Sequence, residues 1–595
     1  MSLSEASFED STALGAPESI AASRIVVLKF GGSSVASREN WETIASLLRK
    51  RLADGYQPIV VHSALGGVSN ALEALLDKAA SIDGGDELEA IREQHYSLAA
   101  ELGLEADELL GESFHQLEQL VAGVRLVREV SVRVRVRIMA LGELMATRLG
   151  AAFLARSGIA VRWLDARDIM VSKTQAIADR ERGYLAAICD YEYDPGLVGQ
   201  LDSPGEVVLT QGFIARNAQG ETVLLGRGGS DTSAAYLASR LGARRLEVWT
   251  DVPGLFTADP KLVPSARLLV ALRYDEAQEL ASAGSDVLHP RCLSPLRQSG
   301  IPLFIRCTAA PHIPGTVISA VTDESEPQVK GICLRDQLTL VSMESVGMWH
   351  EAGFLAAAFG VFGQLGISVD LISTSETNVT VSVDASDGAL PIELRETLAA
   401  ELAKICRVRM IDDCAAVSLV GRRIRTIFPR LAPALKVFEE ERIHLISQAA
   451  NDLNLSFVVD EEQGYRLVGK LHSSIIRRHG SRSALGPSWA ALFKPSTPAV
   501  LEDDSWWLSK RDVLLKLAHE HANAYVYDIG TVRTTARRLR GLENIDRVLY
   551  AVKANYNAEV LRALAAEGVD FECVSPGEVQ WLEQAMVDID PARIL

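Results

Sequence analysis

The sequence predicts an α/β protein: an open, mostly parallel sheet first, then a pair of small repeated αβ modules, then a second, shorter strand-and-helix segment. Three observations predict it. From Ile25 onward, apolar β-branched runs alternate with glycine turns and stretches of helical periodicity. Beyond about Pro327 the strands shorten, alternate in polarity, and occur in a pattern that repeats. After a stretch rich in Ser, Pro and basic residues, strand and helix alternate again to the last residue.

Taken in order, residues 1–24 are Ser/Ala-rich and acidic, without a basic or apolar region, and read as a disordered leader. IVVLKF (25–30) is a short buried strand running into GGSSV, and Trp41, Ile44, Leu47 and Leu48 then recur at helical spacing. PIVVHSA, a Gly66-Gly67 turn and the amphipathic ALEALLDKAA repeat the unit. VVLTQGF, GRGGSD with the helix TSAAYLASRLGA, and EVWTDV continue it, and the grammar fades near Thr316, giving a first domain over 25–320. GISVDLISTSETNVTVSVD then resembles RIHLISQAANDLNLSFVVD, with LIS at 371 and 445 and the tails VSVD and FVVD at 381 and 457. Two tandem modules over 321–478 follow. Residues 479–505 read as a linker, and 506–595 as the last segment.

Composition excludes several classes of partner. The 595 residues carry 60 Lys+Arg against 78 Asp+Glu, a formal charge of −18. That balance argues against nucleic acid and membrane surfaces, which are polyanionic. No apolar run approaches the roughly 18 residues of a membrane span. Seven scattered cysteines without a C-x-x-C pair point to a reducing, cytoplasmic setting. His519 and His521, two apart on a helix, face different sides, and no metal-ligand set is identified.

Two motifs carry chemistry. Lys29-Phe30-Gly31-Gly32-Ser33 puts a cation and a glycine turn at the carboxyl end of a strand, where ligands bind in open α/β sheets. Glycines let backbone N–H groups approach phosphate oxygens. Alone, the string fits a plain tight turn equally well, and neither a Walker P-loop nor a G-x-G-x-x-G is present. Gly226-Arg227-Gly228-Gly229-Ser230-Asp231 before a helix is more specific, since such a loop has little packing value. The Arg- and Val-rich stretch Arg125 to Arg137 reads as a solvated face of the helix leading to Glu143.

With KFGGSSVA (29–36), SALGGVSN (63–70), LGELMA (141–146), TQGF (210–213), LGRGGSDTSAA (225–235), WTDVPGLFTADP (249–260) and VLHP (287–290) in order, residues 25 to about 478 resemble aspartokinases. The resemblance implies an amino-acid-kinase-type open sheet domain. It also implies transfer of the ATP γ-phosphoryl group, with Mg²⁺, to the side-chain carboxylate of L-aspartate. Lys29 and the N–H groups of Gly31, Gly32 and Ser33 would hold phosphates, with Asp231 organising the cationic cluster. Thr250, Asp251, Phe256 and Lys261 would take the nucleotide. Arg227 would clamp the substrate α-carboxylate, Glu143 would pair with its ammonium group, and Ser69 and Ser230 would add hydroxyl contacts. Phe256 stands where the family usually has Tyr, Lys261 where it has Arg, and Asp286 where a lysine precedes VLHP, so Asp286 receives no nucleotide role. That charge reversal motivates an alternative, an amino-acid sensor impaired in catalysis; an acetylglutamate-type kinase is disfavoured by the TADP stretch, Glu143 and the module pair together.

The repeated modules look like paired ACT regulatory domains, ferredoxin-like α+β units. MWHEAGFLAAAFGVF and GISVDLISTSE resemble the lysine-responsive type, which implies an effector near Met348, Gly353, Phe354, Leu355, Ser368, Val369 and Asp370, and a homodimer or higher oligomer. The alternative reading of these residues is core and dimer seam. From Tyr525, YAVKAN (550–555) and VSPGE (574–578) resemble the start of diaminopimelate decarboxylases, whose fold is a (β/α)8 barrel. Lys553 matches the lysine that forms a Schiff base with pyridoxal phosphate. A barrel needs about 250 residues, and the segment offers two or three βα units, so decarboxylation is not expected from it alone. Together these features resemble a fusion of aspartokinase with diaminopimelate decarboxylase, which makes L-lysine the expected inhibitor.

Overall fold

A computed structural model describes residues 15–81, 87–173, 180–285, 287–321, 328–344, 353–383, 390–427, 442–479, 485–493, 506–521, 524–542 and 545–595. They fall into two compact units, Met1–Phe493 and Lys494–Leu595. In the first, the strands are β1 (Ile25–Phe30), β2 (Gln57–His62), β3 (Val161–Leu164), β4 (Val207–Gln211), the hairpin β5 (Ile214–Arg216) and β6 (Thr222–Leu224), then β7 (Arg245–Thr250), β8 (Arg267–Leu269), β9 (Ala271–Arg273), β10 (Leu303–Cys307) and β11 (Thr316–Ser319). Eight form one sheet in the order β3-β4-β2-β1-β7-β10-β11-β9. Only the β10–β11 pair is antiparallel.

β1, β2 and β4 are buried at every position. Covering on both faces is why such strands read as near-continuous apolar runs. The chain leaves β1 toward β2 on one side, while β7 and β10 lie on the other. In open α/β sheets ligands bind in the crevice at such a reversal, which here falls at the carboxyl ends of β1 and β7. The helix Val132–Arg156 crosses behind it. It is long and apolar enough to span a membrane, but 83% of its apolar window is buried inside the fold.

Two expectations change here. The leader is partly structured: Glu18–Ala21 is helical, and Ile20 joins the hydrophobic core. One buried isoleucine is enough to anchor a turn that composition alone marks as disordered. The Arg125–Arg137 stretch is not one helix face. The helix Ala106–Val127 ends at Arg128 in the left-handed region (φ 57°), and the next begins at Val132 under a Ser131 cap.

The repeat is built differently from two tandem copies. β12 (Gln328–Glu344), β13 (Val369–Thr374), β14 (Asn378–Val383), β15 (Arg407–Arg422), β16 (Ile443–Ser447) and β17 (Asn454–Asp460) form one sheet ordered β13-β14-β12-β15-β17-β16. The amino half of β12 pairs with the carboxyl half of β15, while its carboxyl half pairs with both β14 and the start of β15. The second module therefore takes its fourth strand from residues that precede the first. Both long strands change register where the modules meet, and Gln337 (φ 55°) and Asp413 (φ 52°) are left-handed there. On one side of the sheet the two modules bury different cores. Val417, Leu419, Leu467 and Leu471 of the second are continuous with the core of the eight-stranded domain, whereas Val341, Phe354, Phe362 and Leu398 of the first form a separate cluster; Leu338, Leu340, Cys414, Ala416, Leu445 and Val458 form a cluster that both modules share. Arg422 reaches the buried Glu276 at 3.1 Å, and Asn451 and Asn454 reach Glu279 at 2.7 and 2.6 Å, tying the second module to the helix Tyr274–Ser282.

Within the stretch expected to be linker, β18 (Leu485–Ser488) pairs antiparallel with β8 and continues into the short helix Trp489–Phe493. The second unit has β19 (Leu549–Ala551) and β20 (Asp570–Glu572) in parallel, with Ile594 forming a parallel bridge to Phe571. Its core of Val552, Leu561, Leu564, Phe571 and Leu582 is its own.

Candidate active site

Lys29 is the penultimate residue of β1, only 8% exposed, and its Nζ lies 2.6 Å from the Asp231 carboxylate. Asp231 stands in the first turn of the helix Gly229–Arg240, at the positive end of its dipole. The two motifs found separately in sequence thus meet as one buried ion pair at the carboxyl end of β1.

Glycines permit this closeness. A Cβ on Gly32 would sit 2.9 Å from the Ala64 carbonyl, and one on Gly212 would sit 2.6 Å from Ser230 Cβ. Gly228 is left-handed (φ 65°), and a Cβ there would lie 2.3 Å from His289. Backbone bonds stitch the turns together: Gly31 N–H donates to Trp249 O (3.1 Å) and Gly66 N–H to Gly32 O (3.2 Å). Gly31 and Gly32 are half-buried and Ser33 is exposed; Ser69 and Ser230 are half-buried, and Arg227 is exposed.

Glu143, on the long helix behind the crevice, is 2% exposed. Its Oε1 accepts from Ala64 N–H at 3.4 Å, which places it against the SALGGVSN turn. Oε2 is buried without a hydrogen-bond partner among the described residues. Burial pushes this carboxyl up to about 8, with the bonds from the Ala64 backbone and from Glu143's own backbone opposing. A buried acid with an open acceptor fits a site that receives a cationic group.

Thr250 ends β7, its hydroxyl 3.0 Å from Asp251 Oδ1. Asp251 and Lys261 are exposed. Phe256 is half-buried, and its ring packs edge-on against Trp489 with centroids 5.3 Å apart. The neighbouring Thr257 is tied to the second module: its carbonyl accepts from Ile332 N–H (2.8 Å) and its hydroxyl lies 2.8 Å from His472 Nε2. Sequence reasoning missed both Trp489 and His472. The aromatic and apolar string Trp489-Ala490-Ala491-Leu492-Phe493 was the available signal for the first; nothing local marks the second.

The residues expected to bind an effector do not all gather. Gly353 (φ 107°) caps the helix Phe354–Gln364; Phe354 is buried in the core of its module, which favours the packing reading for that residue, and Leu355 is exposed. Ser368 and Asp370 are exposed and Val369 is half-buried, and the Asp370 carboxylate is paired with Arg335. Met348 and Asp286 lie outside the described residues. In the second unit, Lys553 is exposed on the turn at the carboxyl end of β19, beside the parallel β20. A reachable amine at a strand end fits the demands of pyridoxal phosphate.

Comparison with known proteins agrees with this geometry. Residues 24–307 match the amino acid kinase family, residues 341–393 an ACT domain, and residues 530–595 the pyridoxal-binding domain of pyridoxal-dependent decarboxylases. The chain is 33% identical over 461 residues to lysine-sensitive aspartokinase 3 of Escherichia coli, covering 76% of this chain and 99% of that protein. It is 34% identical over 463 residues to the chloroplastic aspartokinase 3 of Arabidopsis thaliana, covering 75% of this chain and 81% of the relative. The crystal structure of E. coli aspartokinase III with aspartate and ADP superposes with a TM-score of 0.66, at 33% identity, over 76% of this chain and 99% of that one. The lysine- and aspartate-bound form of the same enzyme gives 0.60, with 76% and 100% covered. Joined to the buried Lys29–Asp231 pair and the glycine turns around it, these likenesses establish that the chain belongs to the aspartokinase family.

Proposed function

We propose that the first unit transfers the γ-phosphoryl group of ATP to the side-chain carboxylate of L-aspartate, forming 4-phospho-L-aspartate. The observation that carries this reading is the Lys29–Asp231 pair at the carboxyl end of β1, set among glycine turns at the point where the strand order reverses. A carboxylate nucleophile is ionised at pH 7 and needs no general base. The obstacle is one anion approaching another, so positioning and charge neutralisation supply the catalysis.

In this reading Lys29 and the N–H groups of Gly32 and Ser33 hold the phosphates; Gly31 N–H, expected to join them, is instead bonded to the Trp249 carbonyl and shapes the turn, and Asp231 fixes the Lys29 ammonium. Thr250, Asp251, Phe256 and Lys261 take the nucleotide; Mg²⁺ accompanying ATP would neutralise phosphate charge. Glu143 receives the substrate ammonium group, Ser69 and Ser230 add hydroxyl contacts, and Arg227 clamps the α-carboxylate. Because lysine cannot reproduce a bidentate fork, Arg227→Lys is expected to raise the aspartate KM about tenfold with kcat little changed, measured by steady-state kinetics in aspartate.

An ATP- and aspartate-dependent hydroxamate assay tests the activity. Hydroxamate formation is the expected result, and its absence at saturating substrates replaces the kinase by a sensor of the same fold. We further assign the ACT modules to inhibition by L-lysine, supported by the lysine-sensitive relative. Asp370 would receive the lysine ammonium by exchanging it for Arg335. Millimolar lysine should lower the rate; an unchanged rate removes the feedback assignment. The modules are also the proposed seam of a homodimer or higher oligomer. The second unit is assigned as the pyridoxal-binding part of a decarboxylase converting meso-diaminopimelate to L-lysine and CO₂. Pyridoxal phosphate supplies the electron sink for that loss, and Lys553 is the residue that would hold it.

A further inference from the structure

The loop between β7 and β8 carries Phe256 and Lys261, and it is held from two directions. On one side Thr257 bonds to Ile332 of β12 and to His472 of the helix Glu461–His479. On the other lies the segment 485–493, which follows the regulatory modules in sequence. Four kinds of contact fasten it there. β18 pairs with β8, Leu485 opposite Leu269 and Ser488 opposite Arg267. Arg267 donates to the carbonyls of Leu485 (2.7 Å) and Gly486 (2.9 Å). Trp489 N–H donates to Ala266 O (2.8 Å) and Ala490 N–H to Pro264 O (3.1 Å). Leu492 packs with Phe256 against Leu268, Cys307, Ala310 and Ile313.

Trp489 completes the arrangement. Its ring meets Phe256 edge-on at 5.3 Å (73° between planes) and Phe493 at 4.3 Å. An edge-to-face pair fixes the orientation of both rings. The backbone of Phe256 is bridged to Leu268, but its ring carries no polar group and is oriented by packing, and Trp489 is the described aromatic ring packed against it.

We infer that residues 485–493 are a strap of the kinase and that Trp489 is a positioning residue for its nucleotide loop, setting ATP affinity through Phe256. This rests on the assignment of Phe256 to the nucleotide. Two full-chain variants test it from different ends of the strap. Trp489→Ala removes the ring. Gly486→Val places a side chain where Cβ already lies 3.2 Å from Leu268 Cβ and Val270 Cγ2, pushing β18 from β8. Each should raise the ATP KM about fivefold, equivalent to ~1 kcal/mol, with kcat within about twofold and the aspartate KM unchanged. Trp489→Phe should restore most of the loss. An unchanged ATP KM in both variants overturns the inference, as does a fall in kcat at constant KM. Phe256→Ala separates the layers: if it too leaves the ATP KM unchanged, the nucleotide assignment of Phe256 fails; if it raises KM and the strap variants do not, the strap alone fails.

Discussion

Replacing Lys29 by methionine should lower kcat for phosphoryl transfer by about 10²–10³-fold, the loss typical of one preorganised charge-stabilising donor. Methionine matches the length and apolar body of the lysine, so the buried end of β1 keeps its packing and the melting temperature should change little. What disappears is the ammonium 2.6 Å from Asp231. The variant therefore does two kinds of damage: the phosphates lose a cation, and a poorly solvated carboxylate is left facing them. The double variant Lys29→Met/Asp231→Asn separates the two. Because the residues are in contact their effects should not add, and the double variant should recover part of the activity lost in Lys29→Met. A loss under tenfold in the single variant, or strictly additive losses in the double, would place the phosphates elsewhere.

Glu143 gives the second large effect, and its sign follows from burial. With its carboxyl held up to about 8, the residue is mostly neutral in the free protein at pH 7. About a tenth is ionised at pH 7 and about a hundredth at pH 6. A substrate ammonium needs the ionised form. The aspartate KM should therefore fall as pH rises from 6 to 8, steeply below the pKa and levelling near it, with the ATP KM much less affected. Glu143→Gln fixes the neutral state. Losing the charged partner of a buried cation costs about 3 kcal/mol, so the aspartate KM should rise about 10²-fold and its dependence on pH over this range should vanish. A pH-dependent KM that survives Glu143→Gln would assign the titration to another group.

How much was legible in the sequence depended on whether a feature is local. Lys29 before Gly31-Gly32, and Asp231 within its glycine-rich loop, are contiguous strings; the second has a composition that resists a packing explanation, while the first alone fits a plain tight turn equally well. The sequence could not show that they touch, because that contact depends on sheet order. The repeat was legible for the same reason as the motifs, through the LIS strings and the VSVD and FVVD tails. Its wiring was not: periodicity identifies strands but names no partners, and no local signal says that Gln328–Arg335 completes a module beginning some eighty residues later. The strap was missed on similar grounds. A four-residue strand has too little periodicity to register, and its hydrogen bonds come from Arg267 and Ala266, more than two hundred residues away. Phe354 is a position where two readings stood open, effector contact or core. A family motif suggested a ligand contact, and the structure spends the ring on the core of the module.

The paired positions Arg335–Ala416 and Leu338–Cys414 have a consequence for engineering. The intervening chain departs and returns on neighbouring antiparallel strands, and its hydrophobic cluster is separate from that of the kinase. Residues 338–413 therefore leave and return at neighbouring backbone points, while Leu338 and Leu340 pack with Cys414, Ala416, Leu445 and Val458 of the second module. Joining Arg335 to Cys414 through a short turn would keep the grip of the remaining four-stranded module on Glu276 and Glu279 but uncover that apolar face. A module grafted at these two adjacent points has to bring apolar residues at positions 338 and 340, and then neither end of the first domain need move.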